Sequence, residues 1–258
     1  MTTNTLFDPR ELESRVKTMY CEVAENPHGE FHFEMGRGLA ERLGYLADEL
    51  DRVPAEAIDS FAGVGHHFDL AAPATGEVVL DLGSGSGMDT FIAALRVGPR
   101  GHVIGIDMTD AQRAKAERLR DAHGFGQISY LKGYIEEVPQ PDASADAVIS
   151  NGVINLSADK PAVFREIARV LKSGGRLAIS DIVAERELPE GIVCNPTLWA
   201  ACIGGAAQQD AYREMIASAG LRVVEMRDNP AYRFISANAQ AACRKYGVKS
   251  VSVLATKA

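Results

Sequence analysis

Three glycines spaced two apart, Gly83, Gly85 and Gly87, join an apolar run to an amphipathic one in EVVLDLGSGSGMD, residues 77–89. Glycine lets a backbone approach a ligand closely, and a helix starting there offers unpaired N–H groups. The chemistry this suits is the holding of a nucleoside-like molecule over the turn Gly83-Ser84-Gly85. A second apolar run ends in Gly105-Ile106-Asp107, which puts a carboxylate where a ribose diol needs an acceptor. The spacing GxGxG differs from the dinucleotide fingerprint GxGxxG, whose third glycine would fall at Met88. Asp81, in the approach to the turn, would repel a pyrophosphate and suit the ammonium of an amino-acid moiety.

Two further segments point at the same crevice, because ligands of open α/β sheets sit beyond the carboxyl ends of the strands. Gly133-Tyr134-Ile135-Glu136 offers an apolar wall for a base with polar contacts nearby. In Ser150-Asn151-Gly152-Val153, Asn151 offers an amide to the amino-acid end, although a polar residue at a strand end also serves as a plain turn former. Candidate general bases are His28, His32, His66 and His67. His32, between Phe31 and Phe33, is placed for a lid, with a packed histidine as the alternative. The spacing of His28, His32 and Glu34 would suit a metal only on a helix; Gly29 and the alternating aromatics argue against one, so no metal is expected. Tyr20 could reach the amino-acid end of a ligand or simply pack. Cys21, Cys194, Cys202 and Cys243 contain no CxxC pair and read as free thiols; Cys202, beside Trp199, lines an acceptor pocket or fills the core.

The elements that must position these groups are legible. Asp8 caps a first helix, Pro9 suits its first turn, Glu11 completes a capping box, and Leu12, Val16, Met19, Tyr20 and Val23 form its buried stripe, with Cys21 opposite. A loop over 27–36, a helix through Leu39, Leu43 and Leu46, and a short helix over 55–62 follow. From residue 77 the pattern becomes βα units, with strands at 77–82, 102–107, 128–132, 145–150, 176–182, 221–227 and 249–256. Helices fit at 87–97, 110–123, 159–172 and 208–219, the third ended by Gly174-Gly175. The fold class is therefore α/β, a doubly wound sheet (76–258) under an N-terminal helical cap (1–75), with a helical insertion near 192–206.

The 258 residues carry a formal charge of -8 and no basic run, which disfavours nucleic acid. The start MTTNTLFDPRELE lacks the pattern of a secretory signal, and no window approaches the roughly 18 apolar residues of a membrane span. A cytoplasmic enzyme acting on a small molecule is expected.

These stretches resemble class I S-adenosylmethionine-dependent methyltransferases, and more narrowly the arsenite methyltransferase family. The likeness runs over about residues 60–225, through DLGSGSGMD, GHVIGIDMT, GYIEEVP, SNGVINLSADK, RVLKSGGRL, ELPEGI and LWAACIGGA. The resemblance implies a seven-stranded sheet with an antiparallel edge. It also implies S-adenosylmethionine held by Asp81, Gly83, Gly85, Asp107, Met108, Ile135, Glu136 and Asn151, with Ser84 inside the glycine turn. It implies cysteine thiolates for trivalent arsenic, but Val64 and Gly152 stand where the family's pattern has two of them, and only Cys202 remains. The leading expectation is methyl transfer to a small organic acceptor, with His32, Cys202 and Tyr20 as the catalytic candidates. One alternative is arsenic(III) chemistry through Cys202 with Cys194 or Cys21; another, of a different class, is a nicotinamide-dependent oxidoreductase or a non-catalytic nucleoside-binding module.

Overall fold

The computed structural model describes residues 9–193 and 203–258. Its sheet is built on buried, branched runs: β1 (Val78–Leu82), β2 (His102–Asp107), β3 (Ile128–Lys132), β4 (Ala145–Asn151), β5 (Leu171–Ala184), the two-residue β6 (Ala207–Gln208), β7 (Leu221–Asp228) and β8 (Lys249–Lys257). The order is β3-β2-β1-β4-β5-β8-β7, with β6 beside β5. Strands β3 to β5 pair in parallel along this path, whereas β8 and β7 run antiparallel and close one edge. The chain turns back between β1 and β4, and the crevice beyond their carboxyl ends is where such sheets take ligands.

Among the described residues five helices precede the sheet: α1 (Pro9–Glu25), α2 (Arg37–Leu43), α3 (Ala47–Leu50), α4 (Ala55–Asp59) and α5 (Phe68–Ala71). The others are α6 (Met88–Val97), α7 (Asp110–His123), α8 (Lys160–Val170), α9 (Glu190–Val193), α10 (Gln209–Ser218) and α11 (Ala237–Tyr246). Strand residues alternate between two faces. Val79 meets a cluster that includes Phe91 of α6 and Leu39, Tyr45, Phe61 and Phe68 of the N-terminal segment. Leu80 and Leu82 meet Phe164, Ile167, Tyr212 and Ile216 of α8 and α10. The N-terminal helices thus share a core with the sheet, on the face that also carries Asp81.

Several expected boundaries move. The helix through Leu39, Leu43 and Leu46 breaks at Gly44, whose φ of 108° ends α2, and Leu46 is left 56% exposed. The helix over 55–62 stops at Asp59. Gly174-Gly175 do not stop a helix: α8 ends at Val170, and the pair lies in β5 where the register against β4 shifts between Ala145 and Ala147. Among the helices that went unexpected are the four-residue α3 and α5, and α11. The last has a capping Ser236 and a Gly247 at φ 65°, but a stripe of alanines too weak to read. In α1, Leu12, Val16 and Val23 are buried as expected, and Glu11 pairs with Arg15. Asp8, and Cys194, Trp199 and Cys202 of the expected insertion, lie outside the described residues.

Candidate active site

Hydrogen bonds fold the glycine turn onto β2. The backbone N–H groups of Gly83 and Ser84 donate to the Ile106 carbonyl at 2.8 and 3.1 Å. The Asp107 carboxylate then accepts from Gly85 N at 2.9 Å and Thr109 N at 2.7 Å, one to each oxygen. Burial pushes the Asp107 carboxyl upward while these N–H groups hold it down. Each carboxylate oxygen keeps a lone pair for a further donor such as a diol hydroxyl. Side chains are excluded at the turn: Gly83 has φ 73° and lies against Val153, and Gly87, at φ 95°, lies against the Tyr130 hydroxyl. A cavity of about 280 Å³ opens above this turn.

The floor of the cavity is acidic. Asp81, 2% exposed, accepts from Thr90 Oγ1 at 2.6 Å. Asp89, in the first turn of α6, accepts from the Tyr45 hydroxyl at 2.7 Å and from Asn151 Nδ2 at 3.1 Å. Burial, and for Asp81 the nearby Asp89, raises both carboxyls above their ordinary range, Asp81 further. Asn151 Oδ1 accepts from Val64 N and Gly65 N at 2.8 and 3.4 Å, and its Nδ2 donates to the Gly65 carbonyl at 3.0 Å. The Asn151 amide lines the cavity, but its hydrogen bonds fasten β4 to the N-terminal segment.

Helix α1 roofs the cavity with Leu12, Val16 and Tyr20. Its carboxyl half is strapped to α7 and to the segment after α4: Gln112 Nε2 donates to the Tyr20 carbonyl at 2.9 Å, Lys115 Nζ to the Ala24 carbonyl at 3.0 Å, and Ser60 Oγ to the Val23 carbonyl at 3.1 Å. Nearer its start, the Tyr134 hydroxyl donates to Glu13 at 2.8 Å and accepts from Lys17 at 2.9 Å. Ile135 is 9% exposed, and Ser157 Oγ donates to Glu136 at 2.5 Å.

Tyr20, Asp81, Gly83, Ser84, Gly85, Asp107, Met108, Ile135, Glu136 and Asn151 therefore all border this one cavity. His32 does not. The stack of Phe31, Phe33 and Tyr20 rings, with centroids 5.6 and 6.3 Å apart, pins its loop, and Tyr20 is the member that reaches the cavity. The other candidate bases are elsewhere too: His28 is 80% exposed near Asp59, and His66 and His67 pack around Tyr45 and Phe68. Burial lowers both of the latter, His67 to about 3. Among the described residues no group of three or more side chains could hold a metal ion. Sequence reasoning missed Asp89, which reads as an ordinary acid in a helix's first turn, and Tyr45 and Gln112, whose places depend on long-range packing.

Among the described residues Glu13, Asp81, Asp89, Asp107 and Glu136 line the cavity, and no lysine, arginine or histidine does. Such a lining repels pyrophosphate and welcomes a cation. Residues 73–220 match a family described as "Methyltransferase domain". The chain belongs to this family. It is 42% identical over 187 residues to an arsenite methyltransferase of Halobacterium salinarum, covering 72% of this chain and 48% of that one. The chain thus spans about half the length of the curated relatives it matches. An arsenic(III) S-adenosylmethionine methyltransferase from Chlamydomonas reinhardtii superposes with a TM-score of 0.69 at 30% identity, over 87% of this chain and 75% of that one. Geranyl diphosphate C-methyltransferase from Streptomyces coelicolor A3(2), solved with S-adenosyl-L-homocysteine, shares the fold at a TM-score of 0.68, 17% identity and coverages of 94% and 98%.

The Chlamydomonas protein is an S-adenosylmethionine methyltransferase, and S-adenosylmethionine carries its methyl group on a cationic sulfonium. The residues present fit that cofactor: a cavity that is acidic and, among the described residues, lined by no cationic side chain, a turn where neither Gly83 nor Gly87 leaves room for a Cβ, and Asp107 with spare lone pairs beside it.

Proposed function

We propose that this chain transfers the methyl group of S-adenosylmethionine to a small organic acceptor. Asp107 takes the ribose diol, Met108, Ile135 and Glu136 the adenine, the turn Gly83-Ser84-Gly85 and Asp81 the methionine end, and Asn151 orders that end from behind. Residues 1–75 act as the cap, with Tyr20 and the α1 stripe closing the pocket and excluding water. Methyl transfer then needs mainly alignment and a dry site.

One contact carries the choice of acceptor. A Cβ placed on Gly152 would lie 3.2 Å from Val64 Cγ1, so the two positions where the family resemblance leads one to expect thiols adjoin each other, here without sulfur. Val64 is 2% exposed and packs with Leu12, Val16 and Leu156, an apolar wall next to the cavity. Cys21 and Cys243 do not line the cavity. A soft cation such as arsenic(III) binds through several thiolates, and an apolar wall favours an organic acceptor instead. The relatives named arsenite methyltransferases support a second reading, arsenic(III) methylation through Cys202 with another thiol.

Incubation with arsenite and methyl-labelled S-adenosylmethionine separates the two. No methylated arsenic is expected, whereas a panel of small thiols, amines and phenols should yield a labelled product. Methylated arsenic that disappears in Cys202→Ser would establish the second reading. The net charge, and the lack among described residues of any helix long and apolar enough to cross a membrane, support a cytoplasmic enzyme that acts apart from nucleic acid.

A further inference from the structure

We infer that Lys160, set behind the cavity wall, is a positioning residue for adenine recognition. It holds Ser157, and through Ser157 the carboxylate of Glu136, so that the pocket prefers adenine to a base without a 6-amino group. The inference deepens the cofactor reading and rests on it. Lys160 stands in an unfavourable place for a cation. It is the first residue of α8, where the positive end of the helix dipole opposes a further positive charge, and it is 7% exposed. A buried ammonium there costs stability unless charged and hydrogen-bonding partners offset it.

Its partners are those of a clamp. Lys160 Nζ donates to the Ser157 carbonyl at 2.8 Å, and the two carboxylates whose charges act on it are Asp181 and Glu136. Asp181, fully buried on β5, is itself fixed: it accepts from the Tyr212 hydroxyl at 2.6 Å, from Ile182 N at 2.8 Å and from the Asn155 backbone N–H. The segment from Asn155 to Lys160 is thereby fastened to the sheet. Within it the Ser157 hydroxyl is held from both sides. It accepts from Asp159 N at 3.1 Å and gives its proton to Glu136 Oε1 at 2.5 Å. Ser157 and Glu136 both line the cavity, whereas Lys160 does not. The other Glu136 oxygen accepts no hydrogen bond among the described residues and is left for a donor in the cavity. A carboxylate only accepts, and the 6-amino group is the exocyclic donor of adenine. Glu136, held in place, therefore reads that amino group; hypoxanthine, with a carbonyl oxygen at position 6, would set acceptor against acceptor.

The test is titration calorimetry of the full chain with S-adenosylhomocysteine and with S-inosylhomocysteine, in which a carbonyl oxygen replaces the 6-amino group. The wild type should bind the first about 30-fold more tightly, since the second leaves the Glu136 oxygen unpaired. Lys160→Met keeps most of the side chain's volume and removes its charge. Affinity for S-adenosylhomocysteine should then fall about tenfold, while that for S-inosylhomocysteine stays within about twofold. Loss of packing alone would weaken both ligands equally. Ser157→Ala leaves the ammonium in place and breaks the relay; it should narrow the preference by a similar factor, and it carries the test if Lys160→Met does not fold. A preference unchanged in either folded variant, equal losses for both ligands, or a wild type that does not distinguish them overturns the inference. Failure of both ligands to bind the wild type overturns the cofactor reading instead.

Discussion

Replacing Gly87 by alanine probes how the glycine turn is fitted to the sheet beneath it. The new Cβ would meet two penalties. A φ of 95° is foreign to residues with a side chain, at about 1–2 kcal/mol. The Cβ would also overlap the hydroxyl of Tyr130, which is buried with Phe91 and Phe125 nearby and has little room to retreat, at about 1–3 kcal/mol. The sum is about 2–5 kcal/mol. The overlapping atom is the hydroxyl itself; the next atoms, the Tyr130 ring carbon and Phe91 Cε2, stand at 3.1 and 3.2 Å. In a Tyr130→Phe background the overlap therefore disappears and only the backbone penalty remains, about 1–2 kcal/mol. Urea unfolding of the wild type, both single variants and the double variant gives the coupling, expected at about 1–3 kcal/mol. If Gly87→Ala costs the same in both backgrounds, within about 0.5 kcal/mol, the argument from overlap is refuted.

Other substitutions test the site and its electrostatics. Asp107→Ala removes the acceptor proposed for the diol and the partner of two backbone N–H groups; S-adenosylhomocysteine affinity by calorimetry should drop about 100-fold, from about 2–3 kcal/mol of charge-assisted bonding. An unchanged affinity would remove Asp107 from the ribose site. Asp81 has a folded-state value raised to about 8, above its ordinary 3.8, so its contribution is fully present below pH 3.8 and is lost as pH rises through 8. Urea stability of the cofactor-free protein should accordingly fall from pH 6 to pH 8 and level off above that, and Asp81→Asn should flatten the slope. His67 runs the other way: burial depresses it from 6.5 to about 3, so the stability of its neutral form is present above pH 6.5 and lost on acidification. His67→Leu should be about 2 kcal/mol less sensitive than the wild type to a change from pH 7 to pH 5, and an equal acid response in the two proteins would refute this.

The elements around the cofactor were readable because they are local. Strand β1, its glycine turn and α6 follow from the consecutive residues 78–97, whose apolar run, missing side chains and periodicity all point one way. Asp107 was readable because a strand end with a carboxylate has a fixed place in such a sheet. Boundaries were less secure where one residue type serves two purposes: Gly44 broke a helix that the leucine spacing continued, while Gly174 and Gly175 shaped a strand irregularity in place of a helix end. Helix α11 was hidden because alanines bury little apolar area and leave a faint stripe.

The sequence by itself determined the α/β sheet, the place of the cofactor turn and the carboxylate beyond β2, since each depends on the order of residues within one short segment. Only tertiary structure decided that His32 stays outside the cavity while Tyr20 enters it, that Asn151 ties β4 to residues 64 and 65, that Val64 meets position 152, and that Asp89 joins Asp81 under the pocket. Apart from Asp81 and Asp89, which the turn between β1 and α6 separates, these juxtapositions depend on residues tens of positions apart, and no local propensity encodes which of them the packed core brings together. The charge state of the two aspartates follows from the same fact, because burial and mutual repulsion exist only once the chain has closed over them.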